Sequence, residues 1–501
     1  MTGKPKKRSA FSGTFYVANV MEIFERLAWY GFFAVAALYL TGKREDGCLG
    51  FTDEQQGMMQ GVVTFILYLL PVLTGGLADR YGFKKMFAVA YLILIPFYFL
   101  LGQVTTFGAF FAVFLGVALG AAIFKPLVVG TVARETDETN SRFGFGVFYW
   151  MVNVGGFIGP LVAAVVRGWG WIWVFAFSSG YIVFNLIWLF LFYREKKKES
   201  DSKEARSLGR VLSDTVTVLG NFRLFLLLFG IIIVLLAAGN EWLTWKQVGI
   251  VVAAWIAVNV LYDLLVRDRF ARSPMAWLLD RMRLGDWRMG LFLVIVSGFW
   301  TSFNQIWFTM PKYIRDYVDT TPLVDLIGGS NWLVATFTEK GQIKPEIIVN
   351  IDAASIIAFQ LLVSWALTRL NAFATMIVGV LIGAAGIGAC ALGGAEPGVS
   401  VWLCSIGIFV FSFGEMSAAP TSQEYIGKIA PEGREGLYMG YYFVAMALGN
   451  LFGGVLSGPV YGAITRDLGR PDLFWLVSGS VGVVTAIGLV LYNRFILPRG
   501  T

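Results

Sequence analysis

VMEIFERLAWY, Val20 to Tyr30, decides how this chain is read, because Glu22, Glu25 and Arg26 sit inside a run that is otherwise apolar for about thirty residues. Residues three and four apart share one face of a helix, so the three charges form a single polar stripe on an apolar rod. At 1.5 Å per residue, Glu22 lies roughly 20 Å beyond Arg8, the last basic residue of the preceding tail, which is near the middle of a bilayer. An ionisable side chain there costs about 2.5 to 3.5 kcal/mol on insertion scales and persists when it pairs or faces a watery cavity. The stripe therefore predicts a substrate or ion pathway. A buried structural salt bridge made by Glu25 is the simpler alternative, and it leaves the second carboxylate unexplained.

Outward from that stretch, the 501 residues are 57% hydrophobic and only 15% charged, with a mean hydropathy of +0.67. Soluble domains approach a quarter charged residues, so the composition predicts a polytopic membrane protein. Zero histidines and three well-separated cysteines (Cys48, Cys390 and Cys404) argue against haem, His-based metal sites, histidine general-base catalysis and a disulfide framework. No cofactor is expected, and an enzyme is the least favoured class because no nucleophile, base and metal constellation occurs. The net charge of +7 reflects basic residues gathered at helix ends on one side rather than a nucleic-acid partner. The tail Lys4, Lys6, Lys7, Arg8 resembles a signal peptide, but the run behind it is too long and too charged, so it reads as a retained first span.

Apolar windows at 13–42, 54–79, 84–104, 107–133, 143–166, 171–193, 222–240, 243–266, 289–311, 348–368, 372–393, 398–427, 437–462 and 473–494 predict about fourteen transmembrane helices in an all-α fold. Lys84 and Lys85, Arg194 to Arg210, Arg267 to Arg288 and Lys428 to Arg434 fall on the side of the tail, which places both termini in the cytoplasm of an inner-membrane protein. The opposite loops, including Gly42 to Gln56 and Asp316 to Glu346, carry mixed charge and no evident role. REKKKESDSKEARSLGR, Arg194 to Arg210, reads as a solvated linker, and the two apolar segments after it as an inserted hairpin. The expected division is a six-helix bundle over 1–194, a linker with hairpin over 195–288 and a second six-helix bundle over 289–501.

GGLADRYGFKK, Gly75 to Lys85, resembles the signature loop of the major facilitator superfamily, with a tight turn at Gly82 and Asp79 and Arg80 as gating residues. Within that superfamily, MEIFERLAWYG (Met21 to Gly31), FYWMVNVGGFIGP (Phe148 to Pro160) and FGEMSAAP (Phe413 to Pro420) resemble three blocks of the proton-dependent oligopeptide transporter family. KIAP, Lys428 to Pro431, and Met439-Gly440 extend the match, so the resemblance touches both bundles and covers most of the chain. It implies proton-coupled import of di- and tripeptides by alternating access, with substrate, protons and the lipid bilayer as partners and a monomer as the unit.

The resemblance also implies roles. Glu22, Glu25, Arg26 and Lys125 match a proton-coupling group, Tyr149 and Asn153 match positions that hold peptide backbone, and Glu415 matches the carboxylate that receives the substrate's amino terminus. Tyr30, Trp300, Asn304 and Asn350 complete the candidate binding residues. Two departures touch the outer gate: Phe33 and Asn304 stand where the family carries a salt-bridged arginine and acid. Both charges are gone together, which is nearly neutral energetically, whereas losing one would strand the other at several kcal/mol. Asp352 is a further departure, an unexpected acid one turn into the eighth helix of the family arrangement. It is either a helix-end acid touching headgroup water or the titratable group that replaces the one lost at Asn304. Two alternatives stay open: a carrier of another small peptide-like or organic-anion solute with altered or absent coupling, and a membrane receptor that binds without transporting.

Overall fold

The computed structural model describes residues 11–71, 74, 81–137, 140–195, 222–239, 242–265, 281–282, 287–328, 330–367, 371–394, 398–429 and 435–496. Long helices dominate: α1 (Gly13–Thr41), α2 (Asp53–Leu69), α3 (Phe83–Leu101), α4 (Phe107–Arg134), α5 (Ser141–Val166), α6 (Trp171–Phe192), α7 (Phe222–Gly239), α8 (Trp245–Leu265), α9 (Trp287–Phe303), α10 (Ile351–Ala366), α11 (Ala372–Ala389), α12 (Val401–Ile429), α13 (Glu435–Val455) and α14 (Pro471–Phe495). Among the described residues, twelve helices are long and apolar enough to cross a membrane. The two others, α2 and α7, occupy predicted windows, so a helix is described within each of the fourteen expected segments. The chain is thus a multi-pass, all-α membrane protein. Gly82 takes φ 88°, a left-handed turn that favours glycine, while Asp79, Arg80 and most of the 194–210 linker lie outside the described residues.

Local sequence explains where helices begin and break. Ser12 accepts a hydrogen bond from the Phe15 N–H at 3.2 Å and starts α1. Thr52 and Gln55 cap α2 reciprocally. Glu195, far away in sequence, accepts from the Phe83 and Lys84 N–H groups at 2.7 and 3.2 Å and so caps α3 in place of a local residue. α9 breaks at Asn304, continues as Gln305–Phe308 and Met310–Tyr317, and α10 is preceded by the short helix Pro345–Val349. Beyond α13 the backbone widens into π turns at Leu456–Val460, around Pro459, and at Ala463–Asp467.

The first six helices pack largely with one another: α1 lies against α5 and α6, α3 against α4 and α6, and α2 against α4. In the second half α11 lies against α12 and α14, α9 against α13 and α14, and α10 against α12. The halves meet through α2 on α13, α5 on α10, and α1 on the segments that follow α9. Most of α1 is buried (83% of its apolar window), against 11% of α8, so α1 runs through the centre and the α7–α8 hairpin hangs at the rim beside α2. Lipid tails are as apolar as leucine, so helix association in a bilayer relies on close packing of small residues more than on hydrophobic burial. The α2–α13 contact is built that way: a Cβ on Gly57 would meet the Gly454 carbonyl and Gly458 backbone, and one on Gly61 would lie 2.9 Å from the Gly454 Cα. Exposed Ile187, Phe190 and Leu191 on α6 are the opposite case, apolar side chains facing the lipid position.

The 316–346 loop differs from expectation. It folds into short helices, Thr321–Ile327 and Asn331–Phe337, and a two-stranded hairpin pairing Thr338–Glu339 with Gln342–Ile343. Val318–Asp319 also pairs in parallel with Val399–Ser400. This loop lies on the same face as the 42–52 loop, since Lys340 reaches Asp46 at 3.1 Å.

Candidate functional site

The stripe on α1 closes on itself. Arg26 Nε lies 3.3 Å from Glu22 Oε1, and the same guanidinium pairs with Glu25. All three are buried, Glu25 completely. Helical spacing alone brings Glu22 under Arg26. The close approach of α5 then seals the group, because a Cβ at Gly155 would stand 2.5 Å from the Arg26 Cβ. That accounts for Gly155 in the fifth-helix block, whereas a Cβ at Gly156 would meet the Tyr30 ring at 3.5 Å, an ordinary contact. One oxygen of each carboxylate, Glu22 Oε2 and Glu25 Oε1, still lacks a hydrogen-bond partner among the described residues.

Lys125, predicted to engage those carboxylates, instead holds its ammonium over the Tyr68 ring at 4.1 Å. It remains within electrostatic reach of Glu22, Glu25 and Arg26. Tyr30 continues the α1 face, 5.8 Å from the Arg26 guanidinium and 5.5 Å from the Trp307 ring of the other half.

A second acidic group faces the first from the other half. Asp352 on α10 is 2% exposed and accepts from the Ser412 hydroxyl of α12 at 2.6 Å, with Glu415 three residues further along α12. Burial of Asp352 is inconsistent with a helix-end acid bathed in headgroup water. Tyr149 and Tyr30 lie within electrostatic range of Glu415. Tyr30, Lys125, Tyr149, Asn153 and Glu415 all keep partial exposure although they come from four different helices, which defines a cleft between the halves.

Other predicted residues serve packing in this state. Asn153 donates to the Tyr149 carbonyl at 2.8 Å, and Asn304 donates to the Trp300 carbonyl at 2.8 Å where α9 breaks. Asn350 crosses between the halves, donating to the Phe157 carbonyl of α5 at 2.9 Å. Trp300 is buried with its indole N–H unpartnered among the described residues. Phe33 packs edge-on against Phe308 at 5.8 Å, an aromatic contact between the two halves.

Sequence reasoning missed the polar ties on the face of the 42–52 loop. Lys312 Nζ, fully buried, donates at 2.8 Å to Asp53 Oδ1, Gln56 Oε1 and the Ser457 carbonyl, and lies 4.2 Å from the Tyr461 ring. Arg167 pairs with Glu346 and Glu339, and Arg466 pairs with Glu54. Lys344 donates to the Ala164 and Thr336 carbonyls. Apart from the Lys344–Thr336 and Lys312–Ser457 bonds, each joins the first half to the second, so this face is closed. Spaced glycines at 57/61 and 454/458 were the legible signal for it. Lys312→Met should remove charge-assisted hydrogen bonds of about 1.5 to 3 kcal/mol. The expected result is a roughly tenfold rise in labelling of a Gln60→Cys reporter by an impermeant maleimide, since 1.4 kcal/mol is a factor of ten. Unchanged labelling would show that Lys312 does not hold the face shut.

The profile of the Major Facilitator Superfamily matches residues 19–338. Among curated proteins, the peptide transporter YePEPT of Yersinia enterocolitica subsp. palearctica is 25% identical over 98% of this chain and 96% of its own length. Among solved structures, a POT family transporter in complex with 5-aminolevulinic acid superposes with a TM-score of 0.69 at 17% identity, covering 96% of both chains. Tetrameric PepTSo2 superposes with a TM-score of 0.65 at 18% identity, over 97% of this chain and 98% of that one. With a profile match over more than half its length and the two packed halves expected of the fold, the chain belongs to the Major Facilitator Superfamily, whose members are transporters rather than enzymes.

Proposed function

We propose that this protein is a proton-coupled importer of di- and tripeptides. The observation that carries the reading is the pairing of two buried charge groups across one cleft: Glu22, Glu25 and Arg26 with Lys125 on one side, Glu415 on the other. A zwitterionic peptide has an ammonium for Glu415 and a carboxylate for Lys125 and Arg26, with Tyr30, Tyr149, Asn153 and Trp300 along its length. Protonating Glu22 or Glu25 would loosen Arg26 and give the proton a lever on the gate. The units that rock are the bundles 1–194 and 289–501, with 195–288 as connector. The distribution of basic residues supports termini in the cytoplasm and the closed 42–52 face outside. Both halves of the cleft come from one chain, which supports a functional monomer although a relative crystallises as a tetramer. That the names of the relatives specify peptides supports the substrate class.

Uptake of labelled dialanine into proteoliposomes with an inward proton gradient tests this reading. Accumulation is expected in wild type and should fall to exchange alone in Glu25→Gln; N-acetyl-dialanine should not be taken up. Absence of dialanine uptake would overturn the substrate assignment. The replacement of the family's charge pair by Phe33 and Asn304 favours a second reading, peptide exchange with weakened coupling, which wild-type exchange without accumulation would support.

A further inference from the structure

Asp352 and Glu415 make a buried pair that the peptide-binding reading does not use in full. Ser412 and Glu415 are three residues apart on one face of α12, so the hydroxyl that holds Asp352 sets the Glu415 carboxyl beside it. The Ser412 hydroxyl supplies one donor to Asp352, while Glu415 Oε2 is buried with no hydrogen-bond partner among the described residues. No lysine or arginine forms an ion pair with either one among the described residues, in contrast to Glu22 and Glu25, which share Arg26. The groups that face the pair from neighbouring helices are uncharged: Tyr149 from α5 and Tyr30 from α1. α11, which packs on α12, carries no titratable side chain.

Two ionised carboxylates are acceptors only, so their contact would set oxygen lone pairs and two like charges against each other in a poorly screened site. A single proton between them turns the contact into a donor and an acceptor and leaves one net negative charge. We infer that Asp352 and Glu415 share one proton and that the ammonium group of the arriving substrate displaces it. This rests on the amine-bearing substrate proposed above. The balance is simple: the pair with one proton carries charge −1, a substrate ammonium of charge +1 enters, the proton leaves to water, and the pair at −2 holds the cation. No covalent bond changes. The empty carrier then returns with one uncompensated charge at this site instead of two, which lowers the desolvation cost of resetting. The proton lost here opposes any proton carried by Glu22 and Glu25, so the net ratio of protons to substrate is their difference.

The test is infrared difference spectroscopy on the purified full chain, comparing wild type with the double variant Asp352→Asn/Glu415→Gln, which keeps hydrogen-bonding shapes but holds no shared proton. At neutral pH wild type should show a protonated-carboxyl C=O stretch that the double variant lacks. Dialanine should abolish that band, release about one proton per molecule bound, and bind more tightly as pH rises, by at most about tenfold per pH unit. N-acetyl-dialanine should do none of these. Methylammonium is run in parallel because it needs only the carboxyl pair. A band lost with methylammonium while dialanine does not bind overturns the peptide reading and supports the shared proton. A band equally present in the double variant, or dialanine binding with the band intact, overturns the pair.

Discussion

Replacing Arg26 with alanine is expected to be the most damaging single change to this protein. Arg26 is the only charged group that pairs with either Glu22 or Glu25 among the described residues, and the three side chains are buried together. Removing one member of a buried ion pair costs about 3 to 5 kcal/mol because the partner charge is left without compensation, and here two partners are left. A membrane protein of ordinary stability has only about 5 to 15 kcal/mol in total, so Arg26→Ala should unfold at a much lower temperature in detergent and lose uptake entirely. The triple variant Glu22→Gln/Glu25→Gln/Arg26→Met separates stability from coupling: all three charges leave together, so stability should return toward wild type while gradient-driven accumulation stays absent. An Arg26→Ala protein with wild-type thermal stability would refute the account of this group as a mutually dependent set.

The second large effect is expected at Gly57. In the closed 42–52 face, the space where a side chain would go is filled by the Gly454 carbonyl and the Gly458 backbone, and backbone cannot move aside as a flexible side chain can. Gly57→Leu should therefore prise α2 from α13. Overpacking of this kind costs about 1 to 3 kcal/mol, which moves the balance between closed and open forms of that face by about five- to 150-fold. The readout is again Gln60→Cys, buried in the closed face, labelled by an impermeant maleimide. Native background is low: Cys390 and Cys404 are buried, and burial pushes the Cys48 thiol up to about 11, so little of its reactive thiolate exists at neutral pH. Gly57→Leu should raise labelling and suppress uptake together. Uptake at the wild-type rate with Gln60→Cys unlabelled would show that α2 and α13 do not meet as described.

What the sequence makes legible here follows the range of each interaction. The Glu22–Arg26 pair is readable because both residues lie on one helix at a fixed spacing, and the helices themselves are readable because a bilayer demands long apolar runs. Lys312 is not readable. Its partner Asp53 is 259 positions away, and nothing local to KYIRDY distinguishes a cross-molecule tie from a lysine at a helix end. The same holds for Arg167, which belongs by sequence to a helix end and by structure to Glu346, 179 positions on. Asp352 stood out by its depth, but its contacts with Ser412 and Glu415 depend on how α10 and α12 pack. Lys125 shows the converse: resemblance fixes its neighbourhood, and the state of the protein decides whether its ammonium meets a carboxylate or the Tyr68 ring.

The widened backbone after α13 has a consequence for how variation in this protein would be tolerated. At the π turn the Tyr461 N–H bonds to the Gly458 and Leu456 carbonyls and passes over Ser457, whose carbonyl is thereby released from the helical ladder and taken by Lys312. One acceptor of this tie is thus main chain, supplied by helix register rather than by side-chain identity. A library that varies residue 457 will leave that bond standing and read only the loss of the buried hydroxyl's own bond to the Phe308 carbonyl. Deleting one residue between Val455 and Pro459 would restore regular winding, withdraw the carbonyl, and expose a dependence that no single substitution at Ser457 can uncover.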